Sequence, residues 1–324
     1  MSPAPAPGDG AGEGHSDAAL TPDALQLAFH EVECATYDER FGIAYDQATA
    51  RGAAAEVSML VGRRRFARVL DVGCGTGYLG LGLAAAGLVD DLHLADLSPG
   101  MLARAADNAA GLGVQASLVR ATATALPYPD ATFDAVVSRG VLHHLHDVPA
   151  ALGEWRRVVR PGGPVIALSE PTAWADRIGG PSARAALAGL RIARRAARVV
   201  GRELSEHDQA TAQEHRYWDL VAMAANLHTF TPAALARLGR DAGFGRVRVR
   251  GSGYVSIIWA AAYYVLAGEL PGLAASERAK RTAARVWRAL RRVDHAVVEP
   301  LVPDAGLLTV QAVLRDPVAD TAVS

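Results

Sequence analysis

Short apolar runs alternate with longer segments of helical spacing from residue 68 onward. Apolar runs bounded by turn residues indicate buried strands, and apolar positions that recur at the helical period indicate helices. Their alternation is typical of parallel βαβ units. Strands are predicted at residues 68–71, 91–96, 115–120, 133–138, 165–169, 246–250 and 307–314. The pattern therefore predicts an α/β fold, a mostly parallel seven-stranded sheet with helices on both faces.

Capping signals set several helix boundaries. Ser98 precedes Pro99 and Thr231 precedes Pro232, so each pair places an N-cap hydroxyl before a proline at the first helical position. The helix that starts after Thr231 is predicted to close at Gly243. Further helices are predicted at residues 77–87, 148–159 and 183–202.

The alternation of strands and helices stops after residue 170 and resumes near residue 229. Residues 67–170 and 229–316 are predicted to form one sheet domain. The mainly helical segments 171–228 and 254–300 are predicted to be inserts that form a cap over it, and 20–66 an N-terminal helical lid. Residues 1–19 are rich in Pro, Gly and Ala without an apolar stretch, which predicts a disordered tail rather than a signal peptide.

A glycine-rich loop follows the first predicted strand. Gly73, Gly75 and Gly77 alternate with other residues before a helix begins. Glycine is needed where the backbone turns tightly or a ligand approaches closely, and the helix N-terminus offers free N–H groups. Asp96 ends the next strand, where a Rossmann-type fold places a carboxylate that accepts hydrogen bonds from ribose hydroxyls. Together these features predict a nucleoside site in a Rossmann-like sheet.

A dinucleotide is the first alternative for this site, because residues 75–80 match G-x-G-x-x-G. The strand ends in an acid, Asp71, and Gly73 precedes the fingerprint. A carboxylate at that place repels a pyrophosphate but suits the ammonium group of an amino-acid ligand. S-adenosylmethionine is therefore favoured over a nicotinamide dinucleotide.

Residues 69–77 resemble the first motif of class I S-adenosylmethionine-dependent methyltransferases, in the broad small-molecule group that includes the menaquinone and ubiquinone C-methyltransferases. The likeness continues in the family's order at residues 95–102, 126–128, 133–138, 142–145, 160–163 and 230–244. The resemblance implies a Rossmann-like fold, S-adenosylmethionine as cofactor and methyl transfer as the reaction. It leaves the acceptor open, because this group methylates O, N, C and S atoms.

The resemblance also implies the residues that bind the cofactor. Those expected at its methionine part, its ribose, its adenine and the covering helix are Asp71, Gly73, Gly75, Gly77, Ser138, Arg139, Asp96, Leu97, Met101, Thr122, Ala123 and Tyr37. Thr122 departs from the family, which usually has an acid there. A hydroxyl is a weaker acceptor for the adenine amino group than a carboxylate.

Candidate catalytic and substrate residues follow the later strands. His143 and His144 come after the fourth strand, at the edge where ligands bind in open α/β sheets, and one of them could act as a general base. The alternative is that one caps a loop and the other packs. Candidate substrate contacts are Glu170, His215 and Trp218. Aromatic residues in the inserts predict a small, partly apolar acceptor such as a natural product, a quinone or a lipid-like molecule: Trp174, Trp218, Trp259, Tyr263 and Tyr264.

Composition narrows the remaining choices. The net charge of −1 argues against a general nucleic-acid binder. Cys34 and Cys74 are too few and too distant in sequence for a disulfide framework or a zinc site, so no metal is predicted. No apolar stretch has the roughly 18 residues of a membrane span, and a cytoplasmic protein is the expectation. A homodimer, peripheral membrane contact, a nucleic-acid methyltransferase and a non-catalytic S-adenosylmethionine-binding partner protein stay open as alternatives.

Overall fold

The computed structural model describes residues 21–199, 227–270 and 276–316. The predicted tail and the candidates His215 and Trp218 lie outside these residues. The sheet has the seven strands β1 (Phe66–Val72), β2 (Val89–Asp96), β3 (Ser117–Arg120), β4 (Ala135–Arg139), β5 (Pro164–Pro171), β6 (Arg246–Ser252) and β7 (Thr309–Arg315). Their order is β3-β2-β1-β4-β5-β7-β6. Only β7 runs antiparallel to its neighbours among these strands. The predicted Rossmann-like α/β sheet is confirmed.

Helices cover both faces of the sheet. They are α1 (Pro22–Glu33), α2 (Tyr37–Arg40), α3 (Gln47–Val61), α4 (Tyr78–Ala85), α5 (Pro99–Leu112), α6 (Val148–Val158), α7 (Ala173–Val199), α8 (Pro232–Asp241), α9 (Val255–Glu269), α10 (Glu277–Val293) and α11 (Glu299–Leu301), with a 3₁₀ helix at Leu142–His144. Two buried clusters, one on each face, pack the helices against the strands. The chain order reverses between β1 and β4, so the carboxyl ends of these strands flank the crevice in which open α/β sheets bind ligands.

The capping signals operate as predicted. The hydroxyl of Ser98 accepts from the N–H of Met101, and that of Thr231 accepts from the N–H of Ala234. The predicted start of the helix at residue 183 is wrong, because α7 begins at Ala173 and continues through Pro181. Proline removes a single N–H donor there, and the Ser182 hydroxyl donates to the carbonyl of Ile178. No described helix is both long and apolar enough to cross a membrane.

The segment before β1 is bound to the glycine loop and to α5. The Asp38 carboxylate accepts from the Thr76 hydroxyl at 2.6 Å, and the Tyr45 hydroxyl donates to the Thr76 carbonyl at 2.7 Å. Glu31 accepts from the Ser98 hydroxyl and, at 2.9 Å, from the N–H of Gly100. These bonds hold α1 and α2 over the carboxyl ends of β1 and β2.

The helices α9 and α10, from the later part of the chain, also lie over the carboxyl ends of the strands. Asp294 is fully buried and accepts from the N–H groups of Val255 and Ser256 at 2.9 and 3.0 Å. A carboxylate at that place satisfies the free donors of a helix N-terminus and complements its dipole. Asp294 thereby fixes the point at which α9 leaves β6.

Gly80 allows α4 to approach the sheet closely. A Cβ there would lie 2.8 Å from Cδ2 of Leu94 and 3.0 Å from Oδ2 of Asp71. We expect Gly80→Ala to lower the free energy of unfolding by about 1–3 kcal/mol through overpacking. Gly153→Ala in α6, where a Cβ would meet nothing within 4 Å, is the matched control and is expected to gain about 0.5–1 kcal/mol. Urea denaturation measures both, and a gain at Gly80 would contradict the close packing.

Candidate active site

A cavity of about 670 Å³ opens at the carboxyl ends of β1, β2 and β4. One wall consists of the glycine loop and the strand ends. The facing walls come from α1 and α2 and from the cap helices α9 and α10. Volumes of roughly 300–1,000 Å³ are usual for small-molecule sites.

Asp71 ends β1 beneath the cavity. It is fully buried, and its Oδ2 accepts from the N–H of Gly80 at 2.8 Å. Burial raises the pKa of Asp71 to about 7, an effect that the Gly80 N–H and the charge of Arg139 oppose. A cationic ligand beside Asp71 would therefore stabilise its ionised form near neutral pH.

Asp96 ends β2 and braces the glycine loop. Its Oδ2 accepts from the N–H of Gly75 at 2.8 Å, and its Oδ1 accepts from the N–H of Ser98 at 2.9 Å. Both oxygens keep lone pairs for further donors, and the residue lines the cavity. The carboxylate is thus fixed before any ligand arrives.

The loop between β1 and α4 takes a conformation that favours glycine. Gly73 and Gly75 have φ values of 63° and 52°. At Gly75 a Cβ would have open space around it, so the backbone there is accessible from the cavity. A ligand can therefore lie directly on the loop.

A second stretch of the wall follows β3. Thr122 and Ala123 line the cavity across from Leu97 and the buried Met101. The Ala123 carbonyl accepts from the indole N–H of Trp155 at 3.0 Å, which fixes this loop to the core. The site pairs apolar side chains with backbone groups, as a flat heterocycle requires.

Arg139 is the last residue of β4 and lines the cavity. Its guanidinium donates to Glu56 on α3 at 2.6 Å. It also lies 5.1 Å from the ring centre of Tyr78 and 5.9 Å from that of Trp287. The charge of Glu56 raises the pKa of Arg139, against the opposing effect of burial. This cation is therefore permanently charged and already paired.

His143 is held by a buried carboxylate. The Glu170 oxygens accept from the backbone N–H groups of Val141, Leu142 and His143 at 3.0, 3.0 and 3.1 Å. Glu170 Oε2 also lies 2.8 Å from Nδ1 of His143. With only donors around it, Glu170 acts as a carboxylate, so Nδ1 carries the hydrogen of the neutral ring. Nε2 is then the acceptor, on a side chain that lines the cavity.

His144 differs from its neighbour. Its ring contacts that of His143, with centres 3.9 Å apart and planes tilted by 41°, and meets His30 edge-on at 5.4 Å. Burial, followed by the charges of His143 and His30, lowers the pKa of His144 well below its usual value. The geometry therefore favours His143 over His144 as a general base, although both were predicted candidates.

Residues 69–163 match the family model described as a methyltransferase domain. A demethylmenaquinone methyltransferase from Thermus thermophilus is 39% identical over 104 residues, which are 32% of this chain and 47% of that protein. The chain spans less than half the length of the curated relatives that it matches.

Two solved structures share the fold over most of this chain. Phosphoethanolamine N-methyltransferase 2 from Haemonchus contortus, in complex with phosphomonomethylethanolamine and S-adenosylhomocysteine, has a TM-score of 0.56 at 14% identity and covers 92% of this chain and 60% of that one. The chain has the class I methyltransferase fold. The [4+2]-cyclase SpnF has a TM-score of 0.54 at 20% identity and covers 92% of this chain and 98% of that one. The class I methyltransferase fold therefore also occurs in a protein named for another reaction.

The structure brings most predicted site residues of this fold to one cavity. Those that line it are Tyr37, Asp71, Gly73, Gly75, Asp96, Leu97, Met101, Thr122, Ala123, Arg139, His143 and His144. Gly77 does not line it; it has a φ of 91° and precedes α4, so it serves the turn. Ser138 is fully buried in β4 and does not border the cavity. Of the cap aromatics, Trp259, Tyr263 and Tyr264 line the cavity, whereas Trp174 is exposed on α7.

Glu170 was predicted as a substrate contact and is instead buried behind His143. The pairing of β5 with β7 shifts register between Ala167 and Glu170, where Ser169 has a φ of 59°. This bulge turns the Glu170 carboxylate under the 3₁₀ helix, which strand alternation does not predict.

Sequence reasoning missed the residues that complete the site from distant segments. They are Asp38 and Glu56, which bond to the glycine loop and to Arg139, and Trp287 and Arg288, which line the cavity from α10. Trp287 and Arg288 lie in the mainly helical segment 254–300, which was predicted only as part of the cap. Trp287 itself, an aromatic residue in a predicted insert, was the one available signal that this helix could line the site.

Asp71→Asn is expected to stabilise the ligand-free protein, and more so at higher pH. Asparagine retains an oxygen for the N–H of Gly80 but removes the buried charge. The folded pKa of about 7 exceeds the ordinary 3.8, so the wild type loses stability as the pH rises from 3.8 to 7, and the penalty is constant above. From about pH 5.5 to about pH 8 the advantage of the variant should grow by about 2 kcal/mol, at about 1.4 kcal/mol for each pKa unit.

Urea denaturation at the two pH values tests this prediction. Asp107→Asn, which alters an exposed carboxylate on α5, is the control and should show no such growth. An advantage of Asp71→Asn that does not change with pH would contradict the titration of Asp71 in this range.

Proposed function

We propose that this protein transfers a methyl group from S-adenosylmethionine to a small, partly apolar acceptor. One observation carries the proposal: the glycine loop, Asp71, Asp96 and His143 all face the same cavity. The methyltransferase-domain match over residues 69–163 supports the reaction class.

The residues present suit this cofactor. Gly75 leaves the loop open to a ligand, and the fixed Asp96 carboxylate offers lone pairs to a pair of ribose hydroxyls. Asp71 suits the ammonium group of the methionine part, because its buried carboxylate lacks a full counter-charge. Leu97, Met101, Thr122 and Ala123 would enclose the adenine.

Methyl transfer requires that donor and acceptor be positioned and, for some acceptors, that a general base remove a proton. The bound cofactor supplies an already activated methyl group on a sulfonium. The protein excludes water with α1, α2, α9 and α10 and holds the acceptor in line with the donor. His143 Nε2 would take the proton of an acceptor hydroxyl, amine or acidic carbon. The Glu170 carboxylate, 2.8 Å from Nδ1, would stabilise the imidazolium that results.

The cap indicates the character of the acceptor. Trp259, Tyr263, Tyr264 and Trp287 present aromatic faces to the cavity. A relative acts on demethylmenaquinone by name, and a structural neighbour on phosphoethanolamine. A quinone-like, natural-product or lipid-like acceptor fits the aromatic wall, whereas a cavity of this size is a poor match for a nucleic-acid strand.

Calorimetry and label transfer test the proposal. We expect S-adenosylmethionine and S-adenosylhomocysteine to bind with a dissociation constant of about 1–100 μM, and NAD not to bind. Methyl-labelled S-adenosylmethionine with a panel of phenols, hydroquinones and amines should yield a labelled product and S-adenosylhomocysteine. Absence of adenosyl binding overturns the proposal. Binding together with conversion of an acceptor that takes up no label would place the chain with the cyclase-type use of this fold.

A further inference from the structure

The face of α10 that lines the cavity carries one cationic side chain, that of Arg288. Ala283, Ala284, Trp287 and Arg288 all lie on this face, at helical spacing. The Arg288 side chain runs beside α3, with its Cδ 3.8 Å from the place a Cβ of Gly52 would occupy. Burial raises the pKa of the Tyr78 hydroxyl, and the charges of Arg139 and Arg288 both oppose this rise.

Arg139 and Arg288 differ in their partners. Arg139 is paired with Glu56 at 2.6 Å. Within the described parts of the chain, no ion pair and no hydrogen bond joins Arg288 to another residue. Two guanidinium groups and one carboxylate leave this end of the cavity with an excess positive charge. An arginine fork beside apolar walls matches the planar oxygens of a carboxylate or the tetrahedral oxygens of a phosphate or sulfonate.

Arg288 enters the cavity from the cap helix α10, whereas Arg139 enters it from the sheet. Arg139 ends β4, which lies next to β1 in the sheet, and its charge acts on Asp71. Arg288 belongs to the cap, one residue after Trp287 and on the same wall as Trp259 and Tyr263. A group that meets Arg288 therefore belongs to the molecule that fills the aromatic part of the cavity.

We propose that the acceptor is an amphipathic anion, with an apolar body among the aromatic residues of α9 and α10 and an anionic oxygen group bound by Arg288. The inference rests on the proposed function, whose acceptor it describes. The carboxylate, phosphate or sulfonate would fix one end of the acceptor on α10. Its reacting atom would then be held toward His143, at the carboxyl end of β4.

A pair of fluorescent probes with the same ring system tests the charge preference. The sulfonate 1-anilinonaphthalene-8-sulfonate and its neutral parent N-phenyl-1-naphthylamine are titrated into the full chain saturated with S-adenosylhomocysteine. Arg288→Gln is expected to weaken the sulfonate about tenfold or more and the neutral probe less than about twofold, because only the sulfonate makes charge-assisted hydrogen bonds. Arg285→Gln alters an exposed arginine less than one turn away and should change neither affinity.

Each result decides the proposal. Selective loss of the sulfonate in Arg288→Gln, with an unchanged unfolding midpoint, supports it. Absence of sulfonate binding to the wild type, equal losses of both probes, or an equal effect of Arg285→Gln overturns it. A loss of S-adenosylhomocysteine affinity in Arg288→Gln would assign the arginine to the cofactor and also overturn it. The proposed function fails separately, if the wild type does not bind S-adenosylhomocysteine at all.

Discussion

Asp96→Asn should weaken the binding of S-adenosylhomocysteine about 100-fold. The wild-type carboxylate already accepts the N–H groups of Gly75 and Ser98, so it is preorganised for further donors. Each hydrogen bond to a charged acceptor is worth about 1.5–3 kcal/mol, and the ribose offers two donors. Asparagine keeps one oxygen but turns an NH₂ group toward the other donors. Isothermal titration calorimetry measures the loss.

The control for Asp96 lies on the same strand. Asp90 is an acid on β2 that pairs with Arg65 at the surface. Asp90→Asn should leave the affinity within about twofold, as expected for a solvent-screened pair remote from the ligand. If Asp96→Asn bound S-adenosylhomocysteine as the wild type does, the carboxylate would not be a ribose acceptor, and the nucleoside site would need to be placed elsewhere.

Glu170→Gln should reduce the methyl-transfer rate about 10²–10⁴-fold for an acceptor that must lose a proton. The carboxylate accepts at both of its oxygens, whereas the amide of glutamine has only one acceptor oxygen. That oxygen is expected to stay with the backbone N–H groups of Val141 and Leu142, which leaves the NH₂ group facing Nδ1 of His143, where Oε2 lies at 2.8 Å in the wild type. The ring is then expected to move its hydrogen to Nε2, which removes the acceptor that faces the cavity. Two-bond ¹H–¹⁵N spectra of the histidine rings report this tautomer change without any substrate.

Two variants separate a role through His143 from a loss of folding. Glu154→Gln alters another carboxylate that accepts a backbone N–H, from Leu126 at 2.7 Å, but that does not line the cavity. It should leave the tautomer and the rate unchanged. His143→Gln should show the same loss of rate as Glu170→Gln while S-adenosylhomocysteine still binds. An unaltered tautomer and pH–rate profile in Glu170→Gln would reduce Glu170 to a structural cap.

The cofactor side of the site could be predicted because its signals are local. Asp71, Gly73 and Gly75 lie within five consecutive residues. The positive φ values of the two glycines could be expected from the residue type, because glycine adopts them without steric cost. Asp96 required only one further strand in parallel register with β1, which the alternating pattern implies. The capping hydroxyls of Ser98 and Thr231 could also be predicted from the sequence, because a cap bonds to a residue three positions away.

The acceptor side could not be predicted in the same way. His143 and His144 are adjacent in sequence and identical in type, yet only His143 has the carboxylate partner. That partner reaches it through a bulge at the end of β5, and the bulge depends on the pairing of β5 with β7, a strand far along the chain. Alternation along β5 alone puts Glu170 on the wrong side.

The sequence by itself determined the sheet, its helices and the loop that suits a nucleoside, because each rests on spacing along one or two neighbouring segments. The tertiary structure alone decided which histidine contacts a buried carboxylate, that Glu56 neutralises Arg139 and that Arg288 stays unpaired among the described residues. These features depend on contacts between α3, β4, β5 and α10, whose distance in space is set by packing and not by their distance along the chain.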